Sequence, residues 1–460
     1  MRQVPFLFLT AIALLAGCPD REVSALTPAP AKVEYKDIPV TVNRDLDLLF
    51  VIDNSGSMGE EQASLKANFP KFIDVLNTIQ GGLPNAHISV VNSDMGTMGG
   101  PRQGTPGDSG CDQFGAAWGG DGQMRALDTR YTGGMANVRY ISDIKDDISG
   151  TRTKNYSNGT LAEVFSDMAN VGDKGCGYEM HLSAMRRALE NPANAGFLRP
   201  NAYLAVIFIA DEDDCSIKMG SGTGFFGQGD IGNVQSYACF RSSTTCDGNL
   251  GDQVGSRANC RTNDNSTYHE KISDFVNYLQ SKKSDPGLLI VAGIVGNATP
   301  VAVGTTTRNG TTVPTLVPSC TYQAPGSDKL QRAYPAVRLS TFLKGFTQST
   351  VTTICKSDLS DGMVQIAQLL KTIIGSPCID SDLAEPYQCA VSDVTNPGKT
   401  NQVEVRIPQC DGAHSVKPCW TLDVDNAKCA ATKSKLALNI DRGGAVPATN
   451  THVIANCVTK

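Results

Sequence analysis

The sequence contains few of the residues and motifs from which zinc frameworks, nucleotide sites and nucleic-acid-binding surfaces are built. Its 460 residues include only five histidines, and none of its 15 cysteines forms a CxxC pair, so a zinc framework is not expected. The formal net charge of −6 provides no basic surface for a phosphate backbone. The chain also has no GxxxxGKS/T loop, no HExxH and no GxSxG turn. We therefore expect a protein that is not an enzyme and that binds neither nucleic acid nor nucleotide.

The N-terminus has the features of an export signal. Arg2 precedes the apolar stretch VPFLFLTAIALLAG, which is too short to span a membrane as a mature helix, so residues 1–17 are predicted to be a signal peptide. The sequence LAGC resembles the bacterial lipobox, which implies cleavage before Cys18 and lipidation of its thiol. Three acyl chains would anchor the protein firmly, because each buried CH₂ contributes about 0.8 kcal/mol. The alternative is an ordinary secretory signal followed by a chance cysteine.

Residues 18–44 are predicted to be the lipidated cysteine and a tether. They include the proline-containing stretch TPAPAK, which is typical of a spacer that holds a folded domain away from a surface. The lipid would be the only contact with the membrane. The expected location is the bacterial cell envelope, on the periplasmic face of the outer membrane or at the cell surface.

The cysteine count agrees with export. Without Cys18, 14 cysteines remain (15 − 1), an even number that fits a disulfide-bonded protein of an oxidising compartment. The predicted local pairs are Cys111 with Cys176, Cys320 with Cys355, and Cys215, Cys239, Cys246 and Cys260 among themselves. The sequence leaves open how the last six cysteines pair: Cys378, Cys389, Cys410, Cys419, Cys429 and Cys457.

Residues 45–375 alternate between buried strands and helices. The runs LDLLFVID, AYLAVIFIAD and GLLIVAGIVG have the continuous apolar character of buried strands, and helical patterns follow, including one near 328–346. This alternation predicts an α/β fold with a doubly wound, mainly parallel, Rossmann-like sheet covered by helices on both faces. Two segments, near 96–175 and 214–265, are interpreted as insertions, the first with a short strand near VRYISDI and a helix near TLAEVFSDMANV. Residues 376–460 have six cysteines and short alternating runs, which predict a small disulfide-rich β module with Trp420 in its core.

Asp53, Ser55 and Ser57 follow the first predicted strand in the sequence FVIDNSGSMGEE. In a doubly wound sheet, ligands bind beyond the carboxyl ends of the strands, and Asp53 lies at such an end. A carboxylate with two hydroxyls is an oxygen-only set, which favours a hard divalent cation. The sequence therefore predicts a site for Mg²⁺, with Ca²⁺ or Mn²⁺ as alternatives.

The Asp53-x-Ser55-x-Ser57 pattern after a buried strand resembles the metal-ion-dependent adhesion site of von Willebrand factor A domains. That resemblance implies a doubly wound α/β fold and two further residues near the metal, a threonine from a later loop and an aspartate that ends a later strand. Asp211, at the end of LAVIFIAD, matches the aspartate. At the threonine position this chain has Glu179. We expect Glu179 to approach the metal, and the alternative is that it only caps a helix.

Several polar residues near this site have simpler interpretations. The DEDD run at 211–214 is interpreted as a solvated turn, with Asp213 or Asp214 as an outer partner of the metal or a Ca²⁺ ligand in the alternative. Asp94 is expected to be a turn residue. His181 is expected to pack against its helix or to face solvent.

The combination of export signal, Asp-Ser-Ser pattern and cysteine-rich module is similar to secreted A-domain lipoproteins of Gram-negative bacteria. The resemblance implies a lipid-anchored protein that binds another protein through a bound cation at the cell envelope. One alternative is a structural envelope protein whose metal only stabilises the fold. A metal-dependent hydrolase is the other, and the residues that haloacid-dehalogenase-like enzymes need are not all present, because Ser55 occupies the place of their second aspartate.

Overall fold

The computed structural model of the protein describes residues 33–39, 44–79, 82–97, 119–146, 151–218, 225, 235–248, 250–283, 286–308, 310–323, 330–356, 358–374, 378–379, 381–396, 400–426, 429, 432, 434–443, 445 and 451–460. The predicted signal peptide, Cys18 and Cys111 lie outside the described residues, so lipidation and the Cys111–Cys176 pair remain predictions. The chain divides into two compact units. One is the α/β unit, within residues 44–374, and the other is the β unit, which combines residues 33–39 with 378–460.

The helices and strands of the described residues have the following bounds. The helices are α1 (Gly59–Asn77), α2 (Leu161–Met168), α3 (His181–Glu190), α4 (Gln235–Ser243), α5 (Ile272–Gln280), α6 (Val337–Lys344) and α7 (Ser360–Ile373). The strands are β1 (Val33–Pro39), β2 (Asp45–Ile52), β3 (Asn85–Asn92), β4 (Ile141–Lys145), β5 (Arg152–Lys154), β6 (Tyr203–Ala210), β7 (Thr244–Thr245), β8 (Gly255–Arg257), β9 (Arg261–Thr262), β10 (Leu289–Val295), β11 (Val301–Arg308), β12 (Thr311–Leu316), β13 (Cys320–Gln323), β14 (Leu330–Ala333), β15 (Ser349–Thr353), β16 (Cys389–Thr395), β17 (Val403–Ile407), β18 (Cys419–Val424), β19 (Leu436–Asp441) and β20 (Thr451–Val458).

A seven-stranded sheet in the order β15–β10–β6–β2–β3–β4–β5 forms the centre of the α/β unit. The pairs from β15 to β3 are parallel, and β4 and β5 extend the sheet antiparallel. The predicted fold class, a doubly wound and mainly parallel sheet, is confirmed. Strand order reverses between β2 and β6, because β2 leads to β3 on one side and β6 leads to β10 on the other. That reversal creates the crevice where such sheets bind ligands.

Side chains of β2 alternate between two hydrophobic cores. Leu48 and Phe50 pack in the core that α1, α2 and α7 cover, and Leu49 and Val51 pack in the core under α3, α5 and α6. All four are fully buried. A strand segment buried on both faces reads as a near-continuous apolar run, which explains residues 48–52 directly before Asp53.

The predicted insertion near 96–175 is partly wrong, because its second half belongs to the central fold. It supplies β4, β5 and α2. Phe165 of α2 stacks on Phe69 of α1 with ring centroids 3.5 Å apart and lies 4.7 Å from Phe50. The strand predicted near VRYISDI and the helix predicted near TLAEVFSDMANV are β4 and α2. The sequence does not reveal that they join the central sheet and its core, because ISDIK and RTK are short and half polar.

Two elements late in the α/β unit also differ from expectation. The helix predicted near 328–346 is strand β14 followed by helix α6. The sequence does not predict β15, since STVTT has no buried residue and forms the edge of the sheet next to β10. Among the described residues, no helix is long and apolar enough to span a membrane.

The β unit is built from both ends of the chain. Its four-stranded sheet has the order β1–β20–β16–β17, and β18 pairs with β19. Residues 33–39, predicted to be part of a tether, instead pair with Thr451–Val458 as strand β1. The correction follows from long-range pairing, which local composition does not report. Trp420 is 3% exposed and packs in a cluster with Val391 and Leu438. Its predicted position in the core of this unit is therefore confirmed.

Disulfides connect neighbouring segments within each unit. Cys320 pairs with Cys355, and the four cysteines of the 214–265 segment pair among themselves, both as predicted. The β unit contains three pairs that the sequence left open: Cys378–Cys429, Cys389–Cys457 and Cys410–Cys419. A small module with a limited core gains stability from such crosslinks.

Candidate metal centre

The predicted site residues lie at the switch point of the sheet. Asp53 follows β2 and Asp211 follows β6, and these two strands are direct neighbours. The backbone N–H of Asp53 donates to the carbonyl of Ile209 at 2.9 Å, which continues the strand pairing up to the site. Both aspartates are therefore brought to the same edge of the sheet by the parallel register.

The loop after β2 places one of its two serines at the surface. Asp53 is fully buried, and its Oδ1 accepts the backbone N–H of Ser55 at 2.7 Å. The hydroxyls of Ser55 and Ser57 are 3.1 Å apart. Ser57 and Gly56 are exposed, whereas Ser55 is 4% exposed. The site therefore combines a buried carboxylate and a buried serine with one exposed serine, Ser57, that a ligand from outside can reach.

Three buried carboxylates near this loop have oxygens without a hydrogen-bond partner in the described part of the chain. They are Asp53 Oδ2, Glu179 Oε1 and Asp211 Oδ1, on residues that are at most 2% exposed. Burial raises the pKa of Asp211, and repulsion by Asp53 and Glu212 raises it further, while a hydrogen bond from Ser57 opposes the shift. Burial, followed by repulsion from Glu212 and Asp53, also raises the pKa of Glu179 well above its usual value. Buried acids crowded in this way require a compensating positive charge or a proton.

The position of Glu179 depends on the loop before α3. Gly175 donates its N–H to the Asn54 carbonyl at 2.7 Å, so this loop crosses the Asp-Ser-Ser loop. A Cβ on Gly175 would come within 2.2 Å of the Asn54 side chain, so a larger residue would require that buried side chain to move. Glu179 then extends into the site, where its side chain hydrogen-bonds with that of Glu212.

The helix-cap interpretation of Glu179 is wrong. The N-cap residue of α3 is Met180, and its side chain makes no capping hydrogen bond. The Leu182 N–H is instead accepted by Asp214 Oδ1 at 2.9 Å. Glu212 is the carboxylate that the sequence reading did not single out. Burial is the main cause of its raised pKa, and Ser236 donates to its Oε1 at 2.8 Å.

The oxygen atoms at the switch point suit a divalent cation that some of them contact directly and others contact through water. The carboxylates supply unpartnered oxygens, and the Ser55 and Ser57 hydroxyls lie beside them. Among the described residues, however, the carboxylate oxygens of the three acids are not all within 4.8 Å of one another. The group of three His, Cys, Asp or Glu residues that does meet this limit there is Cys410, His414 and Cys419. Because Cys410 and Cys419 form a disulfide, that second group is not a metal site. A cation at the switch point would be held by some of these groups and reached by others through water.

The DEDD run is not a solvated turn, and Asp213 and Asp214 are engaged by α6 and Arg338 rather than by the switch-point site. Asp213 accepts the N–H groups of Arg338 and Leu339 at 2.8 and 3.0 Å and so caps α6. Asp214 accepts Arg338 Nε at 3.1 Å and the Ser216 hydroxyl at 2.6 Å. Arg338 is 1% exposed and Asp214 fully buried. Adjacent acids tolerate each other because each has a different partner.

Asp94 has the turn role predicted for it, while His181 lies in the site itself. Asp94 Oδ1 accepts the Gly96 N–H at 2.8 Å. His181, the first residue of α3, is fully buried, and its Nε2 is 3.8 Å from Asp53 Oδ2. The prediction that His181 packs against its surroundings is confirmed, and the alternative that it faces solvent is wrong. The only sequence signal was its spacing of two residues from Glu179.

Comparison with known proteins returns distant structural likenesses. No protein-family profile and no curated protein match the chain. Similar solved structures include a von Willebrand factor type A protein from Catenulispora acidiphila, with 10% identity, a TM-score of 0.29 and coverage of 94% of this chain and 66% of that one. The pilus adhesin SpaC from Lactobacillus rhamnosus GG, in its open conformation, has 9% identity, a TM-score of 0.32 and coverage of 94% and 42%. The pilus adhesin RrgA from Streptococcus pneumoniae has 10% identity, a TM-score of 0.27 and coverage of 93% and 58%.

This chain therefore spans less than two thirds of the length of each of these proteins. Its own strand order places a turn with the sequence Asp53-x-Ser55-x-Ser57 at the switch point of a parallel sheet. The α/β unit therefore has a doubly wound, mainly parallel α/β fold with this turn at the switch point of its sheet.

Proposed function

We propose that the protein binds a divalent cation at the switch point of the α/β unit and uses it to bind a protein ligand at the bacterial cell envelope. The observation that carries the proposal is the set of buried oxygens of Asp53, Glu179 and Asp211 without hydrogen-bond partners among the described residues. An unpaired buried charge is costly, and coordination of a cation removes that cost.

Access to the cation supports a binding role. Gly56 and Ser57 are exposed at the rim of the site, so an oxygen of a partner protein can complete the coordination shell. The proposed lipid anchor at Cys18 would present this rim at the membrane surface. The partner is a protein rather than a nucleic acid, because the net charge is −6.

We expect the full-length protein to unfold at a higher temperature with a divalent cation than with EDTA. A ligand that binds only the folded state contributes about 2.7 kcal/mol at a concentration one hundred times its dissociation constant. Thermal unfolding with Mg²⁺, Mn²⁺ or EDTA measures this, followed by capture of envelope proteins under the same conditions.

The capture experiment separates the two candidate roles of the cation. Retention of a partner with the cation and its release by EDTA support adhesion, and an Asp53→Ala variant serves as the control that lacks the site. Stabilisation without cation-dependent capture would favour the structural role. No effect of any cation on unfolding would overturn the proposed site.

Glu179→Thr is expected to weaken cation binding and to strengthen binding of an acidic ligand. A threonine hydroxyl is neutral, so the bound cation keeps more positive charge for a ligand carboxylate. We expect a change on the order of tenfold in each direction, which corresponds to about 1.4 kcal/mol. Calorimetric titration with Mg²⁺, and then with a short aspartate-rich peptide, measures both effects. Glu190→Thr, at the far end of α3, is the matched control. Unchanged affinities in Glu179→Thr would remove Glu179 from the site.

A further inference from the structure

His181 has surroundings that ordinary packing does not explain. Its side chain is fully buried, and neither ring nitrogen has a hydrogen-bond partner in the described parts of the chain. Other histidines whose side chains are described do have partners: His87 with the Phe197 carbonyl, His269 with the Ser242 hydroxyl and the Ser216 carbonyl, and His414 with Asp441. Buried polar groups are nearly always hydrogen-bonded, so an imidazole with two unpartnered nitrogens indicates a missing partner.

The distance to Asp53 identifies the kind of partner. His181 Nε2 and Asp53 Oδ2 are 3.8 Å apart, too far for a hydrogen bond, and Asp53 Oδ2 also lacks a partner among the described residues. Two atoms that each lie about 2.1 Å from one cation are separated by about 3 Å at a right angle and by about 4.2 Å when opposite. The observed separation falls within that range.

We infer that His181 Nε2 would be a nitrogen ligand of the cation together with Asp53, and that the site takes a transition-metal ion such as Mn²⁺, Fe²⁺ or Zn²⁺ in preference to Mg²⁺. This inference rests on the proposed function and assigns the metal of that same site. Mg²⁺ is bound through oxygen, whereas imidazole favours zinc, iron and related ions. The oxygen-only set read from the sequence becomes a mixed set of carboxylate, hydroxyl and imidazole.

The direct test uses the unmodified full-length protein loaded with Mn²⁺. Pulsed electron paramagnetic resonance detects coupling between the Mn²⁺ electron spin and the nitrogen of a coordinated imidazole. We expect that coupling in the wild type and its loss in His181→Ala. Bound Mn²⁺ without nitrogen coupling would overturn the histidine ligand and leave the proposed cation site intact. Absence of binding by Mn²⁺, Zn²⁺ and Mg²⁺ would overturn both.

Affinities supply the second test. By competition titration, wild type should bind Mn²⁺ or Zn²⁺ at least about tenfold more tightly than Mg²⁺. His181→Ala should weaken Mn²⁺ and Zn²⁺ binding by about 10- to 100-fold, the range for perturbed metal sites, and change Mg²⁺ binding much less. His181→Gln, which keeps a polar side chain, gives the same comparison if the alanine variant folds poorly.

His414→Ala is the matched control, because it removes an imidazole from the β unit beside the Cys410–Cys419 disulfide. We expect it to retain the wild-type preference and the nitrogen coupling. If His414→Ala lost the metal preference or the nitrogen coupling while His181→Ala kept it, the metal ligand would be His414 and the inference would be overturned. Equal affinity of wild type and His181→Ala for every cation would overturn it too.

Discussion

Arg338→Ala is expected to lower the free energy of unfolding of the α/β unit by about 3–5 kcal/mol, the usual cost of removing one partner of a buried ion pair. Arg338 donates Nε and a terminal nitrogen to Asp214 Oδ2 at 3.1 and 3.0 Å, and also donates to the Glu270 carbonyl at 3.1 Å. Without Arg338, the Asp214 carboxylate would remain buried without its cation. Urea unfolding followed by helical circular dichroism measures the loss, since every described helix lies in this unit.

An exposed ion pair of the same unit provides the control. Lys356 and Asp361 are 3.5 Å apart, with side chains 39% and 79% exposed. Lys356→Ala should therefore change stability by less than about 1 kcal/mol. An equally small loss for Arg338→Ala would contradict the importance of the buried pair. The double variant Arg338→Met with Asp214→Asn should recover part of the loss, because it removes the unpaired charge.

Asp211→Asn is expected to abolish the response to cations while stabilising the cation-free protein. The pKa of Asp211 is raised by burial and by the neighbouring carboxylates. Its folded-state pKa therefore exceeds the unfolded value of 3.8, so its contribution to stability is present below about pH 4 and is lost as the pH rises through the folded-state pKa. Above pH ~4 the cation-free fold must either keep this carboxyl protonated or accommodate its charge, and asparagine removes that cost.

Unfolding at several pH values, with EDTA or with cation, measures both effects. In EDTA, wild-type stability should fall more steeply above pH ~4 than that of Asp211→Asn. Burial raises the pKa of Asp47 and of Asp213 to about 6, so the informative quantity is the difference between the two proteins. If the variant binds cation about 100-fold more weakly, a cation gain of about 2.7 kcal/mol would fall to about 0.4 kcal/mol. Asp361→Asn, on an exposed side chain, is the control, and a variant that kept the wild-type gain would exclude Asp211 from the site.

The local sequence was sufficient to predict the fold where burial imposes a hydrophobic pattern over several consecutive residues. Strands β6 and β10 are buried at every position and β2 at every position but its first, so they read as nearly continuous apolar runs whatever surrounds them. The alternation of these runs with helices predicted the doubly wound sheet. Asp53 and Asp211 could then be placed at adjacent strand ends, because parallel strands all finish at one edge of a sheet.

The sequence was insufficient to predict the structural role of a residue whose partners are distant along the chain. RTK became the edge strand β5 through pairing with β4, and residues 33–39 became a strand through pairing with the last strand of the chain. The DEDD run looked solvated because four adjacent acids repel one another in isolation. Arg338, more than one hundred residues away, is what permits Asp214 to be buried.

By itself, then, the sequence determined the fold class, the Asp-Ser-Ser loop and the acid at the Glu179 position, since these follow from local hydrophobic periodicity and from residue identity. Only the tertiary structure decided which polar groups surround the site. It brought Glu212 and His181 to the buried carboxylates and directed Asp213 and Asp214 away from them. The physical reason is that hydrogen bonding and coordination act over about 2–4 Å between side chains, whereas sequence patterns report only whether a position is buried.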